Sequence, residues 1–87
     1  LLVRRDAEFF QEEQLELVYI ARRLSEAQAL ERVLSEQAVD YLVEADEYTG
    51  GVIFRRVRVG AFFYVARRDL ERAHAAMTRS GYRPYQL

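Results

Sequence analysis

Apolar and polar positions change period several times along the chain, and each change marks an element. Residues 15 to 21, LELVYIA, are rich in β-branched and aromatic side chains and predict a strand. Ser25 and Gln28 then stand at the spacing of a capping box, in which each side chain satisfies an orphan N–H at a helix start. Ala27, Leu30, Val33 and Leu34 recur at helical spacing and give one apolar face through about Ala38. A second strand is predicted in VDYLVEADEY, residues 39 to 48, closed by TGG at 49 to 51 as a three-residue hairpin loop with Gly available for positive φ. The next strand runs from about Val52 to Ala66, long enough that Gly60 is expected to mark a bulge. Asp69 is placed to cap a second helix whose Leu70, Ala73 and Met77 form a stripe, and Gly81 is its expected stop. The tail YRPYQL holds the chain's one Pro and can be at most a short edge strand.

The pattern is β-α-β-β-α with room for a short final strand, over a single domain at residues 15 to 87. Residues 1 to 14 form an N-terminal extension, in which Asp6 can cap a short helix through Gln14 and Phe9 and Phe10 need apolar cover. That cover is either the chain's own domain or, by exchange, a partner subunit. An internal echo supports a two-halved fold: YIARR at 19 to 23 returns as YVARR at 64 to 68, each at the end of a strand and before a helix. The expected fold is therefore α+β and ferredoxin-like, a split βαβ with an antiparallel sheet, two helices on one face, and its first and third strands as parallel neighbours at the sheet centre.

Alternation along the long strand puts Val57, Val59, Ala61, Phe63 and Val65 on the face under the helices. Arg56, Arg58, Gly60, Phe62 and Tyr64 take the other face, joined there by Leu17 and Tyr19. Aromatics in such a place resemble the base-stacking surface of RNA-recognition modules. A TGG loop pairs Tyr48 with Val52, Glu44 with Arg56, Leu42 with Arg58 and Asp46 with Phe54. Carboxylates at Asp40, Glu44 and Asp46 would then neutralise the arginines and repel phosphate, and GAFFYV lacks the basic-Gly-aromatic start of the RNA-binding signature. This argues against nucleic acid. Leu17, Tyr19, Leu42, Phe62 and Tyr64 together make an apolar patch better explained as an oligomer interface, in a dimer or trimer.

Composition sharpens that picture. At 87 residues and 51% hydrophobic content the chain is one domain, and one that buries only about 60 to 65% of its unfolded surface, so association is a natural source of stability. The net charge of −1 hides a split: residues 1 to 47 hold five Arg against twelve acids, and residues 48 to 87 hold eight Arg against two. The halves attract each other within one fold, or between copies. No Cys is present, which removes disulfides and thiol chemistry and fits a reducing, cytoplasmic setting. No apolar run approaches a membrane span, no signal-peptide pattern opens the chain, and the missing initiator Met suggests a trimmed start.

Candidate chemistry is sparse. One His, His74, and three Ser offer no evident catalytic triad, one His cannot supply a zinc site, and TGG lacks the Lys and following helix of a phosphate loop. No catalytic residue, metal ligand or cofactor is expected, and the chain reads as a non-enzyme. Arg22, Arg23, Arg67 and Arg68 end the two strands expected to run parallel, each pair leading into a helix start, and so form a candidate site for a small anion such as phosphate.

A family resemblance is carried by the same segments. Glu26 and Ala27 on the first helix, Leu34 with Val39 and Tyr41 at the opening of the second strand, Phe63 to Val65, and Glu71 to Ala73 on the second helix resemble small prokaryotic signal-transducing domains with a PII-like fold. The resemblance covers about residues 15 to 81. It implies a ferredoxin-like sheet and a regulatory or binding role in a bacterial-type protein. PII proteins proper have a long loop between strands two and three and bind nucleotide between subunits; this chain has TGG there, so no nucleotide-binding residue carries over. The expectation is a non-catalytic regulatory or protein-interaction module that self-associates through its open sheet face, with an unknown protein partner. A small-anion or nucleotide sensor at the paired arginines is the alternative, and an RNA-binding module the third reading.

Overall fold

The structure, a computed structural model, describes residues 3–50 and 56–85. Among the described residues four strands and three helices make an α+β fold: β1 (Arg4–Arg5), α1 (Ala7–Phe10), β2 (Leu15–Ala21), α2 (Leu24–Glu36), β3 (Tyr41–Gly50), β4 (Arg56–Ala66) and α3 (Leu70–Arg79), the last preceded by a 3₁₀ turn at Arg67–Asp69. The strands lie in the order β1-β3-β4-β2. The sheet is mixed, because β1 pairs parallel to β3 while β4 runs antiparallel to both β3 and β2.

Two sequence expectations change here. β2 and β4 are neighbours as the echo suggested, but antiparallel. The helical crossover through α2 returns β3 in the direction of β2, the hairpin then reverses β4, and a strand lying between them must oppose both. The sheet is also not purely antiparallel, since Arg4 and Arg5 add an unexpected parallel strand beside Tyr41 and Leu42. That strand is anchored by the Val3 N–H donating to Ser35 Oγ at 3.1 Å and by an Arg5–Asp40 ion pair at 2.9 Å.

The hairpin register differs as well. Tyr48 faces Arg58, Asp46 faces Gly60, Glu44 faces Phe62 and Leu42 faces Tyr64, so β3 continues through Thr49 and Gly50 instead of turning there. Val52 and Phe54, the expected partners of Tyr48 and Asp46, lie outside the described residues, as does Gly51 of the expected loop. The shift moves every pair but keeps parity, so each side chain stays on the face that alternation assigned. Gly60 sits within a continuous β3–β4 ladder, and the irregularity falls instead in β2, between Leu17 and Tyr19.

The main core lies between the sheet and α2 and α3. Val18, Tyr41, Phe63 and Val65 from the strands meet Leu30 and Leu34 of α2 and Ala73 and Met77 of α3, all fully buried. Helix ends are set by backbone geometry more than by side-chain caps. α2 starts after Arg23, so Ser25 lies inside it, and Glu26 reaches back to the Arg22 N–H at 3.0 Å in place of the expected Ser25–Gln28 box. α3 starts after Asp69 as expected, although that carboxylate meets Arg72 at 3.3 Å and caps no backbone N–H. Both helices close with the Schellman pattern: Val39 N–H donates to Leu34 O and Tyr82 N–H to Met77 O, each at 2.9 Å, with Ala38 and Gly81 at positive φ between.

A second, smaller cluster occupies the opposite face. Asp6 caps α1 by accepting the Phe9 N–H at 3.1 Å, and Phe10 is buried against Leu42, Ala66, Leu15 and Tyr64. The helix ends at Phe10, short of Gln14, where Gln11 turns to positive φ. The tail from Tyr82 to Tyr85 contains no strand among the described residues. It touches the β2 edge through the Tyr85 N–H on Val18 O. No helix among the described residues is long and apolar enough to cross a membrane.

Candidate functional site

Five residues were expected to share an open apolar face, and four do. Leu17, Leu42, Phe62 and Tyr64 lie together by register. Tyr19 does not, because the bulge around Val18 turns both Val18 and Tyr19 toward the helices and places Ile20 opposite Phe62. There the Tyr19 hydroxyl donates to Glu26 Oε2 at 2.9 Å, and its ring meets Tyr82 edge-on. The expected face is also largely covered within the chain: Leu42 is 6% and Phe62 9% exposed. Phe10 covers the first, and the Tyr48 ring approaches the second edge-on at 6.4 Å.

The four arginines are not brought together. Ala21 pairs with Ala61 and Leu15 with Ala66, so the arginine pairs sit at opposite ends of the β2–β4 ladder, on the order of 15 to 20 Å apart at about 3.3 Å per residue. Antiparallel pairing is the physical reason. Arg68 makes two hydrogen bonds to Glu13, at 2.6 and 3.1 Å, and Arg67 bonds Gln14 Oε1 at 3.3 Å. The Arg68 hydrogen bond holds the Glu13 carboxyl below its ordinary range.

Two other surfaces emerge. The first is an apolar shelf on the helix side of the hairpin, where the strands run past the helix layer. Val57 and Val59 are each 67% exposed and Leu24 is 73% exposed. An apolar groove of about 310 Å³ lies among Val59, Ala61, Val43, Ala45, Ala27 and Leu24. Arg22 and Arg23 stand on its α2 side, and Glu47, opposite Val59, on its β3 side.

The second is a cleft of about 460 Å³ where β2 runs into α2, lined by Tyr19, Tyr48, Tyr85, Arg22, Arg83 and Glu26, with Ile20 and Thr49. Glu26 engages both oxygens, one with the Tyr19 hydroxyl and one with the Arg22 N–H. Burial first, then the bond to Glu26, pushes the Tyr19 phenol up to about 12, so it stays a donor. Gly60 lets Tyr48 and Ile20 close over β4, since a Cβ there would lie 2.9 Å from Ile20 Cγ2 and 3.0 Å from Tyr48 Cε1. Of the residues singled out in the sequence as an anion site, only Arg22 lines this cleft. Arg83 and Tyr85 lie in the tail and Tyr48 on the hairpin, and no local spacing joins them.

His74 has a buried Nε2 without a hydrogen-bond partner among the described residues. No group of three His, Cys, Asp or Glu among the described residues could hold a metal ion. No protein family, curated protein or solved structure matches this chain.

Proposed function

We propose that this chain is a non-catalytic protein-interaction or regulatory module that self-associates, built on a ferredoxin-like sheet of the kind found in small PII-like signal-transducing domains. The order β3-β4-β2 with two helices on one face supports the fold reading: it is a split βαβ in which the tail takes the place of the last strand. The observation that carries the functional reading is the shelf formed by Leu24, Val57 and Val59: Leu24 and Val59 line one groove, and Val57, two residues before Val59 on the same face of β4, extends it in water. The proposed contact therefore moves from the covered face at Leu42 and Phe62 to the helix-side face of the hairpin.

A second copy of the chain suits this surface. Arginines on one rim and Glu47 on the other let a two-fold axis set Arg23 against the partner's Glu47 twice over, without like charges meeting. Six large apolar side chains at about 1.5 to 3 kcal/mol each set roughly 9 to 18 kcal/mol against about 4 to 15 for lost freedom of motion. The expected dimer is modest, in the micromolar range or weaker. Sedimentation over rising concentration tests it: the mass should climb toward the dimer for the native chain and stay monomeric for Val59→Asp. A native chain that remains monomeric at millimolar concentration, or a Val59→Asp chain that still dimerises, refutes the reading.

A further inference from the structure

We infer that the cleft at the junction of β2 and α2 binds a small organic anion carrying a planar aromatic ring. Its volume, about 460 Å³, falls within the roughly 300 to 1,000 Å³ of small-molecule sites. The lining is chemically selective. Three of the chain's six tyrosines converge on it from three separate segments: β2, the far end of the hairpin and the tail.

Charge decides the sign of the ligand. The chain has no Lys, so the positive groups here, Arg22 and Arg83, are both guanidiniums, which suit planar oxyanions and also stack on rings. Among the described residues neither has a carboxylate within 4.0 Å, whereas Arg4, Arg5, Arg68 and Arg72 do. Among the described residues Glu26 is the sole carboxylate of the lining, and each of its oxygens already accepts one hydrogen bond. A cation would meet two guanidiniums against this one carboxylate, whose oxygens are already engaged with Tyr19 and Arg22. A neutral ring would leave the guanidiniums without a counter-charge. A ring joined to a phosphate or carboxylate uses both features.

The aromatic walls are already in place. Tyr19 is held by Glu26 and by the edge of Tyr82, and Tyr48 by Phe62 and by its close approach over Gly60. Ordering costs on binding are correspondingly small.

Amide chemical shifts of the full chain, titrated with phenyl phosphate and with benzoate at constant ionic strength, test the assignment. Saturable shifts are expected at residues 19–26, 48–49 and 83–85 with at least one probe, and the tighter of the two identifies the anion. Inorganic phosphate and phenol should each bind at least about tenfold more weakly. Arg83→Ala and Tyr85→Ala, both at exposed positions that line the cleft and not the apolar groove, should each weaken binding by about fivefold or more with the thermal midpoint unchanged. Shifts that fail to saturate, phenol or phosphate binding as tightly as the joined probe, or an unaltered affinity in Arg83→Ala would each overturn the proposal. Either result leaves the mass measured for Val59→Asp unaffected.

Discussion

The Tyr19 hydroxyl and Glu26 Oε2 lie 2.9 Å apart, joining the end of β2 to the first turn of α2. Glu26 Oε1 accepts the Arg22 N–H at the same corner, so one carboxylate holds both the strand's last aromatic and the entry to the helix. Tyr19→Phe removes one of these bonds but leaves a half-buried carboxylate that water can reach. The expected loss is therefore near the low end for a charged hydrogen bond, about 1.5 kcal/mol. Glu26→Ala removes both bonds and should cost more. Urea unfolding of the two variants checks the order, and equal losses would contradict it.

Alkaline pH should unfold the chain through its phenols. Burial first and a glutamate bond second push Tyr19 and Tyr41 up to about 12, and burial also raises Tyr64 and Tyr82. An unfolded phenol titrates near 10. Between about pH 10 and 12 the unfolded chain therefore releases protons that the folded chain keeps, and stability falls as pH rises through that window. Below pH 10 this contribution is fully present. The thermal midpoint should be insensitive to the phenols up to about pH 9 and drop above 10, and the drop should shallow in Tyr19→Phe/Tyr41→Phe. Phenolate absorbance rising at the same pH in folded and urea-unfolded chain would refute it.

These tyrosines also show how far the sequence could be read. Tyr41, Phe63 and Val65 fall in the core as strand alternation requires, and parity survives even though the hairpin register moved, because the shift brings new partners without exchanging faces. Tyr19 escapes the rule because one extra residue enters β2 at Val18, and neither Gly nor Pro marks that bulge in the sequence. TGG looked like a tight turn because its composition permits one, yet Thr49 and Gly50 still pair with Val57 and Arg56. The repeated ARR segments carried no information on strand direction, which the connectivity alone sets. The cleft was invisible for a different reason: Tyr48 and Arg83 are ordinary surface residues until the fold gathers them.

The two helix stops predict substitutions of opposite sign. Ala38 holds φ 54 and Gly81 φ 86 at equivalent Schellman positions. Left-handed backbone costs a residue with Cβ about 1 kcal/mol. Ala38→Gly should therefore stabilise by roughly 0.5 to 1 kcal/mol, net of the added freedom of the unfolded chain. Gly81→Ala should destabilise by about 1 kcal/mol through the backbone alone, since a Cβ there meets nothing within 4 Å. Thermal midpoints should move by several degrees in opposite directions.

Gly60 predicts a steric cost. A methyl group there would press on Ile20, on Tyr48 and, at 3.2 Å, on the Ala21 carbonyl oxygen. The two side chains can yield but the paired β2 backbone cannot, so Gly60→Ala should cost about 1 to 3 kcal/mol. It should also lift the Tyr48 ring from the sheet, visible as changed ring-proton shifts of Tyr48 and Phe62. A stable variant with unchanged Tyr48 resonances would contradict the packing.

Phe9 and Phe10 are adjacent and meet edge-on, yet they should behave differently on substitution. Phe10 is buried and caps the cluster of Leu42, Ala66, Leu15 and Tyr64, whereas Phe9 is exposed, with the Arg5 guanidinium 4.7 Å from its ring centroid. A helix of one turn has no stability of its own, so α1 stays in place through the Phe10 contact and the Asp6 cap. Phe10→Ala should cost about 3 kcal/mol, the lower end for a buried Phe because α1 can lift away and let water in. Phe9→Ala should cost less than about 1 kcal/mol, the range of an exposed cation–π contact. Limited proteolysis adds a second readout: cleavage within residues 7 to 14 should accelerate in Phe10→Ala and not in Phe9→Ala. The solution mass separates the arm's two arrangements, since an arm folded over its own sheet leaves the mass of Phe10→Ala equal to that of the native chain, and an arm exchanged with a partner subunit does not.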